Sequence, residues 1–283
     1  MDIVRIAKES LRIAWSRKSL WLFGLFVAAG SGSAGGSDAS SAKAATGVAA
    51  AAVDSLPTWL PWAIAGAVVL GFCGLFMHVV SEGALIEGAV RAKNDEPFTV
   101  RQGMRGGMRS FWAVFKVKAI MFGVALGSIA VLAAPVILYS LDLLPVGAAI
   151  PLGILAVIMG VPWVVTLYLI YALALRFVVL DNRNALDSIG KARLFLHGRL
   201  ASTLLLFLAV GIGQIGAGVV IVLCLIPIAL LAGAGYLAAG IPAAIAIGVL
   251  FGLPLAVATG GALGTYQSTV WTLGYLEARA SEG

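Results

Sequence analysis

Four basic side chains recur at helical spacing within residues 99–118, and their chemistry is that of phosphate binding. They are Arg101, Arg105, Arg109 and Lys116. On a helix they form a basic stripe that flanks an apolar stripe, the pattern of a helix lying on a membrane surface. Each cation contributes about 1 kcal/mol near an anionic surface. The segment therefore predicts an anionic-lipid contact, although the same pattern occurs in helices that only anchor a protein.

Three further residues extend this predicted contact surface to other parts of the chain. Trp15 and Trp112 suit the interfacial belt, where the amphipathic indole ring is favoured. Arg193 lies in a third basic segment, 182–208, that also runs into an apolar stretch. We therefore predict that these residues and the basic stripe bind lipid or a protein partner.

A second polar set is predicted at the inner ends of the even-numbered membrane spans. Its members are Glu82, Glu87, Arg176 and Gln267. A charge near a membrane is costly unless it is paired or hydrated. The set therefore predicts a Glu–Arg pair that locks the helices together. The alternative is a polar vestibule, open to the cytoplasm, that binds a headgroup or a partner peptide.

Other reactive residues do not form a catalytic or metal-binding pattern. Residues 211–216 match the GxGxxG spelling, but they lie inside an apolar run, whereas dinucleotide binding needs a strand before the glycines. His78 and His197 lack the three or four ligands of a zinc site. Cys73 and Cys224 lie in apolar runs and are expected to be buried core residues. We therefore predict a non-enzymatic protein without a metal or cofactor.

The composition requires membrane-spanning helices to position these residues. The 283 residues are 61% hydrophobic and 11% charged, with a mean hydropathy of +1.03. Soluble domains are about half apolar and about a quarter charged. The net charge of +6 favours anionic lipid headgroups over nucleic acid as the partner.

The hydropathy pattern predicts an all-α fold with six membrane spans. The first apolar run is short, and a signal peptide is its alternative interpretation. In-plane amphipathic helices are expected at 1–19, 99–118 and 185–199, and a Gly/Ser/Ala-rich extracytoplasmic loop at 30–55. The expected spans are 20–29, 56–80, 117–139, 147–171, 200–231 and 241–270.

The distribution of basic residues predicts the orientation. With six spans, every lysine and arginine except Lys43 falls on the side that holds both termini. Because basic residues concentrate on the cytoplasmic side, both termini are expected in the cytoplasm. The protein is thus predicted to be a multi-pass protein of the bacterial inner membrane.

The three basic segments also predict an internal repeat. Each unit would contain a surface helix, an outward span, a loop and an inward span, giving three parallel helical hairpins. The units are expected at 1–91, 99–176 and 184–283, within a single membrane domain covering 1–283. Common descent and the shared physics of surface helices both remain as explanations.

Two sequence stretches carry a resemblance to a known group of proteins. They are LWLFGLF at 20–26, after a basic amphipathic start, and LRFVVLD at 175–181, followed by ALDSI at 185–189. The chain resembles six-span bacterial membrane proteins allied to the membrane domain of some glycerophosphodiester phosphodiesterases. The resemblance implies the six-span fold but no phosphodiesterase activity, because six spans fill this sequence.

These features together predict a scaffold or accessory subunit that binds anionic lipid and a protein partner or a second copy of the chain. The alternative is a transporter or channel for a lipid or small amphiphile. Transport needs a polar path across the bilayer, and only Gln214 and scattered serines and threonines are available to form one.

Overall fold

Helices account for all the regular secondary structure in residues 3–30 and 59–280, which are the residues that the computed structural model describes. The predicted loop at 30–55 lies outside this range, apart from its first residue. The helices are α1 (Ile3–Ser16), α2 (Trp21–Gly30), α3 (Leu60–Lys93), α4 (Val100–Ser140), α5 (Val146–Asp181), α6 (Ala185–Gly198), α7 (Leu200–Ala239), α8 (Ile241–Ile247) and α9 (Leu253–Ala280). A 3-10 turn, Lys18–Leu20, precedes α2, and a π-helical turn, Gly248–Gly252, joins α8 to α9.

Five of these helical stretches are long and apolar enough to cross a membrane: α3, α4, α5, α7 and the combined α8–α9. Helix α3 has 34 residues, or about 51 Å at 1.5 Å per residue, against a hydrocarbon core of about 30 Å. The all-α architecture is therefore confirmed, with five helical stretches suited to crossing a membrane. The first expected span, 20–29, is not confirmed, because the 10 residues of α2 rise only about 15 Å.

The second surface segment and its span form one uninterrupted helix. Helix α4 runs for 41 residues without a break, so no turn separates the expected in-plane helix at 99–118 from the expected span at 117–139. A reciprocal cap begins this helix. The backbone N–H of Gln102 donates to Thr99 Oγ1 at 3.4 Å, and the backbone N–H of Thr99 donates to Gln102 Oε1 at 3.0 Å. Breaks do occur before α2 and at Arg199, where the backbone leaves helical geometry.

The chain divides into two compact units. The first unit contains residues 109–207 and 275–283, and the second contains residues 2–108 and 208–274. The boundaries fall inside α4, α7 and α9, away from the expected repeat boundaries. The threefold repeat and its hairpins therefore stay predictions.

In the second unit, α2 packs closely against α9. Gly24 lies against the backbone of Gly261 and Gly264, where no side chain would fit. Thr265 Oγ1 donates to the carbonyl of Leu20 at 3.1 Å. Small residues thus allow the close helix approach that is typical of membrane proteins.

Helices α3 and α5 each have one part whose residues are largely buried and another part whose residues are exposed. In α3, the residues from Trp62 to Leu75 are exposed, whereas those from Val79 to Ala89 are largely buried. Helix α5 has the same division, with Leu169 to Val178 largely buried. Large contiguous apolar surfaces are rarely exposed to water. The exposed halves are therefore suited to lipid.

Candidate functional site

The first turns of α4 present the predicted basic stripe to the surroundings. Gly103 and Gly107 form the opposite, buried face, and a side chain at Gly107 would meet the backbone of Val80 on α3. This contact fixes the rotation of the helix. The arginines of the stripe are consequently exposed. An open groove of about 650 Å³ on this surface is lined by Val100, Arg101, Met104, Arg105 and Met108.

Further along α4, within the first unit, three aromatic rings cluster beside the last cation of the stripe. The ring centroids of Phe111 and Phe115 lie 5.9 Å apart, and the indole of Trp112 meets Phe115 edge-on at 6.1 Å. Trp112 is 68% exposed, and Lys116 in the next turn is also exposed. Aromatic and basic side chains are thus adjacent, as is typical of the headgroup level of a membrane.

Helix α1 buries one face and exposes large apolar side chains on another. Its buried residues include Ile6, Ser10 and Ile13. Trp15 is 71% exposed, and its ring lies 6.0 Å from that of Trp21. The predicted contact residue Trp15 is therefore available for a lipid or partner.

Helix α6 likewise buries one face and exposes basic and apolar side chains on another. Ser188, Ala192 and Leu196 are buried, whereas Arg193 and Leu194 are exposed. The predicted contact residue Arg193 thus lies on the open face beside an apolar side chain. An exposed basic residue next to an exposed apolar residue is a combination suited to a membrane surface.

In the second unit, Glu82 faces a histidine. His78 Nε2 lies 3.7 Å from Glu82 Oε1, and each side chain is 12% exposed. His78 Nδ1 lies 2.9 Å from the carbonyl oxygen of Phe26. Because a carbonyl oxygen only accepts, Nδ1 carries the proton and Nε2 is directed toward the carboxylate. The i,i+4 spacing could have indicated this pair, but the Phe26 contact could not be read from the sequence.

Glu87 pairs with an arginine of its own helix. Arg91 donates to Glu87 Oε1 at 2.8 Å, and Glu87 packs against Gly106 of α4. Sequence reasoning overlooked Arg91. Gln267 is half-buried in the second unit, whereas Arg176 belongs to the first. The predicted inner cluster as a whole stays a prediction.

Arg176 is a deeply buried cation of the first unit. The residue is 5% exposed, and its Nη1 donates to the carbonyl of Ala172 at 2.6 Å. Buried polar groups are normally hydrogen-bonded, and this bond to the backbone accounts for one of the guanidinium donors. Its placement thus agrees with a structural function.

Hydrogen bonds and a ring contact hold the end of α9 against α5 and against Arg199, the residue that follows α6, within the first unit. Arg279 donates to Asp181 at 2.6 Å, and Arg199 donates to the carbonyl of Ala278 at 2.5 Å. The ring of Tyr275 lies 5.0 Å from that of Phe177, centroid to centroid. These contacts could not be read from the sequence, because the residues that form them are distant along the chain.

The GxGxxG segment lies inside helix α7. No strand occurs in the described part of the chain, so the segment lacks the context of a dinucleotide site. Gly213 packs against the ring of Tyr266, while a side chain at Gly211 or Gly216 would enter open space. Helix packing therefore explains only one of these glycines.

Cys73 and Cys224 are exposed, so the prediction that they are buried was wrong. Both lie in the outward-facing apolar parts of their helices, where a small apolar residue suits lipid as well as a core. Within residues 3–30 and 59–280, no group of three or more His, Cys, Asp or Glu side chains could hold a metal ion.

Comparison of the chain with known protein families, curated proteins and solved structures finds no match. The resemblance to the six-span bacterial proteins therefore stays a prediction.

Proposed function

We propose that the protein is a non-enzymatic scaffold or accessory subunit of the bacterial inner membrane that binds anionic lipid through its basic helices. In this proposal the segment of α2 supplies a sixth crossing, so both termini lie in the cytoplasm and the basic segments face the anionic cytoplasmic leaflet. A protein partner or a second copy of the chain occupies part of the exposed apolar surface.

One observation carries the lipid-binding proposal. The glycine face of α4 packs against α3, so the stripe of Arg101, Arg105 and Arg109 is held outward. Exposed Met108 lies among these cations. Because α4 continues into its span without a turn, these residues form a juxtamembrane basic segment, which is attracted to an anionic membrane surface without lying in its plane.

The experiment measures lipid selectivity of the full-length protein in vesicles. Electron spin resonance of spin-labelled lipids gives the preference for phosphatidylglycerol over phosphatidylcholine at the protein surface. The variant R101Q/R105Q/R109Q removes three charges, and R101K/R105K/R109K keeps them as a matched control. With about 1 kcal/mol per charge as the upper limit, we expect a several-fold loss of preference in the first variant only.

Salt provides a second measurement on the same samples. The screening length falls from about 10 Å at 0.1 M to about 3 Å at 1 M ionic strength. The wild-type preference should therefore fall with salt, and that of the glutamine variant should change little. Equal selectivity in all three proteins at low salt would refute the proposal.

A further inference from the structure

An open groove lies between the middle of α4 and the first turn of α6, both within the first unit. Its volume is about 580 Å³. Phe115, Lys116, Ala119 and Ile120 of α4 form one wall, and residues 184–187 form the other. The groove is thus wide enough for part of an amphiphile, since ligand sites are typically about 300–1,000 Å³.

The lining is divided into an apolar part and a cationic part. Ala119 and Ile120 lie one turn beyond Lys116, and the exposed side chain of Leu186 lines the groove from α6. The Lys116 side chain is exposed and forms no ion pair with any other described residue. A ligand that fits this lining has an anionic head and an apolar chain.

The one acidic side chain in the lining, that of Asp187, does not cancel the positive charge of Lys116. Asp187 accepts a hydrogen bond from Arg183 Nη1 at 2.9 Å. The carboxylate is therefore already paired with a cation. The charge that the groove offers to a ligand is that of the Lys116 ammonium.

The position of the groove along α4 agrees with a lipid headgroup. The aromatic cluster of Phe111, Trp112 and Phe115 immediately precedes Lys116. Tryptophan is enriched at the membrane–water interface, and Trp112 is exposed. The strongly apolar part of α4 follows. The cation thus lies at phosphate level, and Ala119 and Ile120 lie at the level of the first chain carbons.

We propose that this groove binds one molecule of an anionic glycerophospholipid, with its phosphate at Lys116 and the start of one acyl chain on Ala119 and Ile120. The inference rests on the proposed function, since it assumes that α4 lies at an anionic surface. The inference is more specific than the proposed function, because it assigns one retained lipid to one site rather than a general lipid preference to a surface.

The test counts lipids retained by the full-length protein. The protein is released from vesicles of phosphatidylcholine that contain phosphatidylglycerol, and native mass spectrometry then counts the lipid molecules that remain bound to it. Wild type should keep one phosphatidylglycerol molecule. Lys116→Gln should weaken its retention about fivefold, the equivalent of about 1 kcal/mol for one charge. Ala119→Trp keeps the charge but fills the groove, and it should abolish retention; Ala119 is exposed, so the indole can be accommodated without repacking a core.

Two controls separate this site from the general surface. Lys93→Gln removes an exposed charge from the end of α3, in the second unit, and should leave the lipid in place. Lys116→Arg should also retain it. Retention by both Lys116→Gln and Ala119→Trp would overturn the proposal, as would equal retention of phosphatidylcholine or loss in Lys116→Gln without loss in Ala119→Trp.

The spin-label experiment distinguishes the two proposals. A surface preference for phosphatidylglycerol without a single retained molecule overturns the groove alone. The absence of both overturns the lipid-binding function as well. A retained lipid that R101Q/R105Q/R109Q keeps and Ala119→Trp loses supports the groove independently of the stripe.

Discussion

A methyl group added at Gly264 should separate α2 from α9. The new Cβ would collide with the backbone of Gly24, so one helix must move. Overpacking of this kind costs about 1–3 kcal/mol. The neighbouring Thr265–Leu20 hydrogen bond would also be lost, at about 1 kcal/mol. The gain in helix propensity from Gly to Ala, about 1 kcal/mol, offsets part of this loss.

Gly248→Ala provides the matched control on the same membrane-spanning stretch. A Cβ at this position has nothing within 4 Å, so only the propensity gain applies. Because that gain is common to both variants, it cancels in their difference. Gly264→Ala should therefore be less stable than Gly248→Ala by about 2–4 kcal/mol.

The assay is thermal unfolding of the detergent-solubilised protein, followed by tryptophan fluorescence. Trp21 is a suitable reporter, because its backbone contacts Gly261 and its indole donates to the carbonyl of Ala14 at 2.5 Å. At about 2–4 °C per kcal/mol, the melting temperatures of the variants should differ by roughly 4–16 °C. Equal melting temperatures would refute the close approach of α2 and α9.

Three further results are expected. In a cysteine-free background, a cysteine at Leu143 should react with a membrane-impermeant maleimide in intact cells, and one at Asn94 only after permeabilisation; the reverse pattern would contradict the proposed orientation. His78→Ala should lower stability by about 1 kcal/mol in detergent unfolding, because the part-buried hydrogen bond to the Phe26 carbonyl is lost, whereas exposed His197→Ala should change it little. Arg199→Ala should lower stability by about 2 kcal/mol, because it removes the bond to the Ala278 carbonyl and the contact of the guanidinium with the Phe195 ring, whose centroid lies 5.6 Å away. Arg199→Lys should lower it by less, and unchanged melting would contradict the contact between Arg199 and the end of α9.

The five long helices could be predicted from the sequence because lipid permits few alternatives. Backbone groups in a bilayer must bond within their own segment, so an apolar run of sufficient length becomes a helix. The same pattern could not show that α4 is continuous. A surface segment and a span are both helical, and no proline interrupts residues 100–134.

Hydropathy also could not separate lipid-facing residues from core residues. Lipid tails and a protein interior are both apolar, so Cys73 and Cys224 looked like core residues but are exposed. The pairing of Glu87 with Arg91 was readable from i,i+4 spacing. The acceptor of His78, the Phe26 carbonyl, lies 52 residues away along the chain, and only the folded structure brings the two together.

The division of burial along α3 and α5 has an evolutionary consequence. In the outward-facing half of α3, around Phe72, exchanges among apolar residues disturb little packing within the described part of the chain, so drift there is restrained mainly by hydrophobicity. In the other half, around Ala84, one added methylene meets a packed neighbour. A saturation mutagenesis screen should therefore show each of these helices as two segments, one that accepts nearly any apolar residue and one that accepts few.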